Sequence, residues 1–109
     1  MDNKNRRKDT LLAHLGSHPR DQLGAVNPPV YHASTITFPT VAALEASRLN
    51  RFSGTHYGRY GTPTTFAFEE AVAALEGGYR AMVLPSGLAA VTGALLACTR
   101  QGDHVLMAD

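Results

Sequence analysis

The chain has 109 residues, a formal net charge of +1 and an apolar content of 44%. That length allows one small domain, and the near-neutral charge gives no electrostatic basis for binding nucleic acid or an anionic membrane. One cysteine, Cys98, rules out a disulfide framework within the chain, and neither a membrane-spanning apolar run nor an N-terminal signal core is evident, so a reducing, cytoplasmic setting is expected.

The polar start holds the basic cluster Lys4, Arg6, Arg7 and Lys8, flanked by Asp2 and Asp9. A run this short is expected to be a solvated terminus and not a nucleic-acid arm, so residues 1–9 are expected to be unstructured. Thr10 to Leu15 can form a short helix, stopped by Gly16 and barred beyond Pro19. His14 and His18 are four apart, the spacing of two ligands on one helical face. Gly16 between them and Pro19 after them argue against a helix there. His32, His56 and His104 lack a partner at metal spacing, so no metal site is expected and structural or surface roles are assigned to all five. From Arg20 to Pro39, Pro28, Pro29 and Pro39 alternate with β-branched and aromatic residues, which favours an extended segment lying on something else.

Thr40 can cap a helix from Val41 to about Asn50. Phe52 to Gly61 is a loop rich in glycine and aromatic residues. Thr62 then serves as N-cap, with Pro63 at the first helical position, where its missing donor costs nothing. Phe68, Val72 and Leu75 repeat at helical spacing and predict a buried stripe, Glu69 and Glu70 lie in the N-terminal half, and Gly77-Gly78 ends the helix. Ala81 to Leu84 reads as a short strand, Ser86 to about Thr99 as a helix, Gln101-Gly102-Asp103 as a turn and His104 to Ala108 as a second strand. Together they predict a parallel, right-handed βαβ unit. The helix between the strands is apolar on most of its faces, which implies surroundings larger than this chain supplies. Cys98 on it reads as a small buried hydrophobe.

Chemistry concentrates at the junction of the first strand and this helix. Pro85 disfavours helix at Leu84, Ser86 can cap, and Gly87 leaves room for a ligand against the backbone. Free first-turn N–H groups and the positive end of the helix dipole make a phosphate cradle. An ordinary N-cap followed by a packing glycine explains the same residues equally well. Gly87 and Gly93 do not form a dinucleotide fingerprint, and no Gly-Lys-Ser/Thr follows for a P-loop. The cradle has no cation of its own. Arg59 can supply one through a guanidinium that bridges two phosphate oxygens, with Gly58 and Gly61 allowing close approach and Tyr57 and Tyr60 adding phenolic donors. The alternative for that loop is a surface turn with an exposed arginine.

Tyr57-Gly58-Arg59, Gly61-Thr62-Pro63-Thr64, Leu75-Glu76-Gly77-Gly78, Ser86-Gly87-Leu88-Ala89-Ala90 and Gln101-Gly102-Asp103-His104-Val105 resemble, in order and spacing, the Cys/Met-metabolism family of pyridoxal-phosphate enzymes. Pro28-Pro29-Val30-Tyr31 and Ser34-Thr35 look like that family's N-terminal arm, so the resemblance runs from about Gly24 to Asp109. It implies an α/β fold in which 1–61 is the N-terminal arm and inter-subunit loop. Residues 62–109 would begin the large cofactor-binding domain of a fold-type I, aspartate-aminotransferase-like enzyme. It implies pyridoxal 5′-phosphate as cofactor, with Ser86, Gly87 and Leu88 at its phosphate. Leu88 stands where the family often has methionine, a change of little weight because the contact is through the backbone. Tyr57 and Arg59 would reach the phosphate in a neighbouring subunit of a homo-oligomer, a dimer of dimers, acting on a small amino-acid substrate. The only lysines are Lys4 and Lys8, both in the polar leader. The family's cofactor-bearing lysine, the aspartate at the pyridine nitrogen and the arginine for the substrate carboxylate are expected after Asp109. The expectation is therefore an N-terminal fragment that is inactive alone and contains no catalytic residue. Gly58 and Thr62 favour the bacterial cystathionine β-lyase branch over the synthases and γ-lyases, which more often carry serine and asparagine there. A non-catalytic interaction module is the alternative of a different class.

Overall fold

The computed structural model describes residues 7–49 and 54–108. Helix α1 spans Lys8–His14, α2 Val41–Leu49, α3 Pro63–Glu76 and α4 Gly87–Cys98, and a single 3-10 turn covers Pro19–Asp21. The leader is thus helical from Lys8 onwards. Asp9 lies in the first turn, where a carboxylate meets the positive end of the helix dipole. Met1 to Arg6, including Lys4, and Asn50 to Ser53 lie outside the described residues. Proline opens the 3-10 turn at Pro19, a first-turn position that tolerates it, so a short turn forms where a helix was barred.

Thr40 caps α2, its Oγ1 accepting from Ala43 N–H at 3.1 Å. At the start of α3 the Thr65 hydroxyl accepts from Thr62 N–H at 2.9 Å and donates to Thr62 O at 3.0 Å, which satisfies a donor outside the helical ladder. Gly77 ends α3 in the left-handed conformation at φ 66°, and Gly78 N–H closes the end onto Ala73 O at 2.8 Å.

The arm is fastened to α3. Thr64 Oγ1 donates to Pro29 O at 2.7 Å and accepts from Tyr31 N–H at 2.8 Å. His18 Nε2 pairs with Glu70 Oε2 at 2.8 Å across 52 positions of sequence. Gly16 sits so close to the Ala67 carbonyl that a Cβ there would collide with it, and its φ of +70° disfavours a side chain independently. Ala67, 7% exposed, is the buried hydrophobic residue among the described ones. The packed side of α3 is therefore the Ala67 side, under α1 and the arm. Phe68 is 58% exposed, and Val72 and Leu75 are half-buried. The expected stripe at these three positions is not a core, because no described segment covers that face.

The expected βαβ unit is absent from the described residues. Neither Ala81–Leu84 nor 104–108 is paired, and the one bridge, antiparallel, joins Thr35 to Tyr57. A strand exists only through ladder bonds to a neighbour. These two segments have none, although their sequence suits strands. Leu95 and Leu96 of α4 are 41% and 74% exposed, and Cys98 is exposed and not buried as expected. The radius of gyration is 17.2 Å, against ~13 Å for a compact domain of this length. The exposed area is 9691 Å², where roughly 5,900 Å² would be usual for the mass. The helices form locally, but most of their apolar surface is not covered by the chain itself.

Candidate functional site

Ser86 stands just outside α4 with extended backbone, φ −159° and ψ 160°, and its Oγ accepts from Ala89 N–H at 3.1 Å. That cap uses the third amide of the first turn. Gly87 and Leu88 N–H remain, and no described residue accepts from either. A Cβ built at Gly87 would meet nothing within 4 Å, so the approach to these amides is open. Leu88 is 79% exposed. The helix start also lacks acidic residues in its first turn. Such a turn attracts an anion through two aligned donors and the helix dipole.

Tyr57 and Arg59 sit on a tight turn closed by Tyr60 N–H to Tyr57 O at 2.9 Å. The turn is pinned to the arm by Gly58 N–H to Ser34 O at 2.6 Å and by the Thr35–Tyr57 bridge. A side chain at Gly58 would strike the Ala33 carbonyl, and one at Gly61 would strike the Phe66 ring. Both glycines therefore serve close packing within the chain, where the sequence suggested room for a ligand. Tyr57 and Tyr60 meet edge to face, with centroids 5.5 Å apart at 78°. Arg59 is exposed and makes no ion pair with a described residue.

Tyr57, Arg59 and Tyr60 share an open concavity of about 990 Å³ with Glu69 and with Tyr79 to Val83. Of the five expected site residues, Tyr57 and Arg59 thus line the concavity and Ser86, Gly87 and Leu88 do not. Glu69 Oε1 accepts from Val83 N–H at 2.8 Å, joining α3 to the segment that leads into Pro85 and Ser86. The sequence places Glu69 only in the first half of a helix and Thr64 only in a family motif, and assigns neither a partner. Their partners lie 14 and about 35 positions away, and nothing in helical periodicity reports such contacts. His14 ends α1 and His18 holds Glu70, so this pair serves structure. Among the described residues no three potential ligands converge on a metal position, and no helix is long and apolar enough to cross a membrane.

Residues 9–109 match the family model described as Cys/Met metabolism PLP-dependent enzyme. A Rhizobium johnstonii protein carrying a provisional cystathionine beta-lyase name is 48% identical over 93% of this chain and 24% of its own length. Cystathionine beta-lyase MetC of Escherichia coli is 43% identical over 91% of this chain and 25% of its own. L-methionine gamma-lyase of Pseudomonas putida is 41% identical over 90% and 25%. The chain spans about a quarter of the length of the curated relatives it matches.

Proposed function

Because this chain belongs to the Cys/Met-metabolism family of pyridoxal-phosphate-dependent enzymes, we propose that it is the N-terminal part of a cytoplasmic cystathionine β-lyase. Family membership carries the cofactor, pyridoxal 5′-phosphate, and a fold-type I architecture. In the proposed division, 1–61 form the arm and inter-subunit loop and 62–109 open the cofactor domain, whose sheet would take up Ala81–Leu84 and 104–108.

The observation that carries the site is the start of α4. Two unclaimed amides, a capping Ser86 and open space beside Gly87 fit a phosphate dianion. Ser86, Gly87 and Leu88 would hold the cofactor phosphate there, the last two through backbone donors. When bound, the cofactor supplies an electron sink that stabilises negative charge at the substrate α-carbon. This chain's contribution is to anchor and aim that group. Tyr57 and Arg59 would reach the phosphate of a neighbouring subunit in a dimer of dimers. Arg59 carries the positive charge and fork geometry for phosphate, and its freedom from described acidic partners leaves it available.

The β-lyase assignment rests on Gly58 and Thr62 and on relatives so named, while a γ-lyase matches almost as well. Products separate the two. Supplied with cystathionine, the full-length enzyme should release homocysteine, pyruvate and ammonia as the Cβ–S bond breaks. Cysteine and 2-oxobutyrate in their place would assign cleavage to the γ-carbon and overturn the β-lyase reading.

A further inference from the structure

We propose that Glu69 is a positioning residue for the phosphate site, acting through the backbone of Val83. This inference rests on the reading of Ser86 to Leu88 as the phosphate cradle. Glu69 lies on α3, an element held at both ends: by the Thr62–Thr65 hydroxyl bonds at its start and by the Gly77–Gly78 closure at its end. The arm fastens to the same helix through Thr64 and Glu70. The segment 79–85, by contrast, has no helix and no ladder in the described structure, and in the proposed sheet the Val83 N–H has to lie on an unpaired strand edge for Glu69 to hold it. Glu69 Oε1 accepts from Val83 N–H at 2.8 Å and ties the segment's backbone to α3.

Val83 is two residues before Pro85, and Pro85 restricts the backbone into Ser86. Fixing Val83 therefore limits where Ser86 and the first amides of α4 can point. A carboxylate is well suited to this, because an ionised acceptor on a backbone N–H is stronger and shorter than a neutral one. Glu69 also lines the concavity that carries Tyr57 and Arg59. One side chain thus contacts the segment that ends at the cradle and borders the surface that carries the other phosphate group's ligands. Glu69 touches neither substrate nor cofactor in this role.

The test uses the full-length holoenzyme in wild-type, Glu69→Ala and Glu69→Gln forms. Amide hydrogen exchange is followed over 79–88, together with the phosphorus NMR signal of bound cofactor and its dissociation rate. In Glu69→Ala, Val83 and the amides of Gly87 and Leu88 should exchange faster, and the phosphorus signal should shift or broaden. Cofactor loss should quicken roughly two- to ten-fold, the range one partly exposed hydrogen bond supplies. Glu69→Gln keeps an acceptor oxygen and should restore most of the difference. Glu69→Ala indistinguishable from wild type in all three readouts would overturn the positioning role while leaving the cradle intact. Faster exchange at Val83 alone, with the phosphorus signal and cofactor loss unchanged, would overturn it equally. A wild-type protein with no bound-cofactor signal would overturn the cradle and this inference together.

Discussion

Replacing Thr64 with valine removes a hydroxyl that makes two hydrogen bonds to the arm while keeping the side chain's size and branching. The donor to Pro29 O, at 2.7 Å, and the acceptor for Tyr31 N–H, at 2.8 Å, are both lost. Pro29 is half-buried, so its carbonyl regains water incompletely; Tyr31 is 46% exposed and its amide is rehydrated more readily. An ordinary hydrogen bond contributes about 1 kcal/mol net, and the partial re-solvation places the total near 1–2 kcal/mol. The arm should then open about five- to thirty-fold more often. The consequence reaches the site because the same arm pins the Tyr57–Arg59 turn through Ser34 and Thr35. Hydrogen exchange on the full-length enzyme should show faster exchange at Tyr31, and also at Gly58, whose amide bonds Ser34 and not Thr64. Thr64→Ser retains the hydroxyl and should exchange close to the wild-type rate. Acceleration at Tyr31 with none at Gly58 would refute the claim that the arm holds the turn. Equal acceleration in the serine and valine variants would refute the role of the hydroxyl itself.

Arg59→Ala in the complete enzyme should speed cofactor loss by the worth of a charge-assisted hydrogen bond, about 1.5–3 kcal/mol, read by absorbance after gel filtration. If Arg59 acts across subunits, mixing that variant with one lacking the cofactor-bearing lysine should restore activity towards about a quarter of wild type. Random pairing gives half hybrid dimers, each with one intact site. No recovery, with subunit exchange confirmed by native mass spectrometry, would place Arg59 in its own subunit's site or in none. The isolated chain 1–109 should give no product from cystathionine with added cofactor, since its lysines lie only in the leader. It should also melt without a cooperative transition, because so little of its apolar surface is covered; a sharp two-state melt would contradict that account.

Local signals were the legible part of this protein. Thr40, Thr62-Pro63, Gly77 and Ser86 mark helix ends through contacts spanning five residues or fewer; α2, α3 and α4 begin, and α3 ends, at those marks. The family was legible too, because its motifs are short runs in fixed order, and the match over 9–109 agrees with them. Burial was not legible. Phe68 has the spacing of a core residue and Cys98 the setting of one, yet both are exposed, because periodicity states which face could be buried and not what covers it. The same limit applies to the strands, since Ala81–Leu84 and 104–108 need ladder partners that a run of apolar residues cannot specify. Tertiary structure decided that Ala67 and Gly16 form the close contact of α3 and that Thr64 holds the arm. It also decided that Gly58 yields to the arm's backbone and that Glu69 reaches Val83. Each of these joins residues 14 to 51 positions apart, a separation over which a linear pattern carries no geometric information. The amino-acid order determined where helices start and which chemistry could gather at their ends; only the folded chain decided which of those ends are held, and by what.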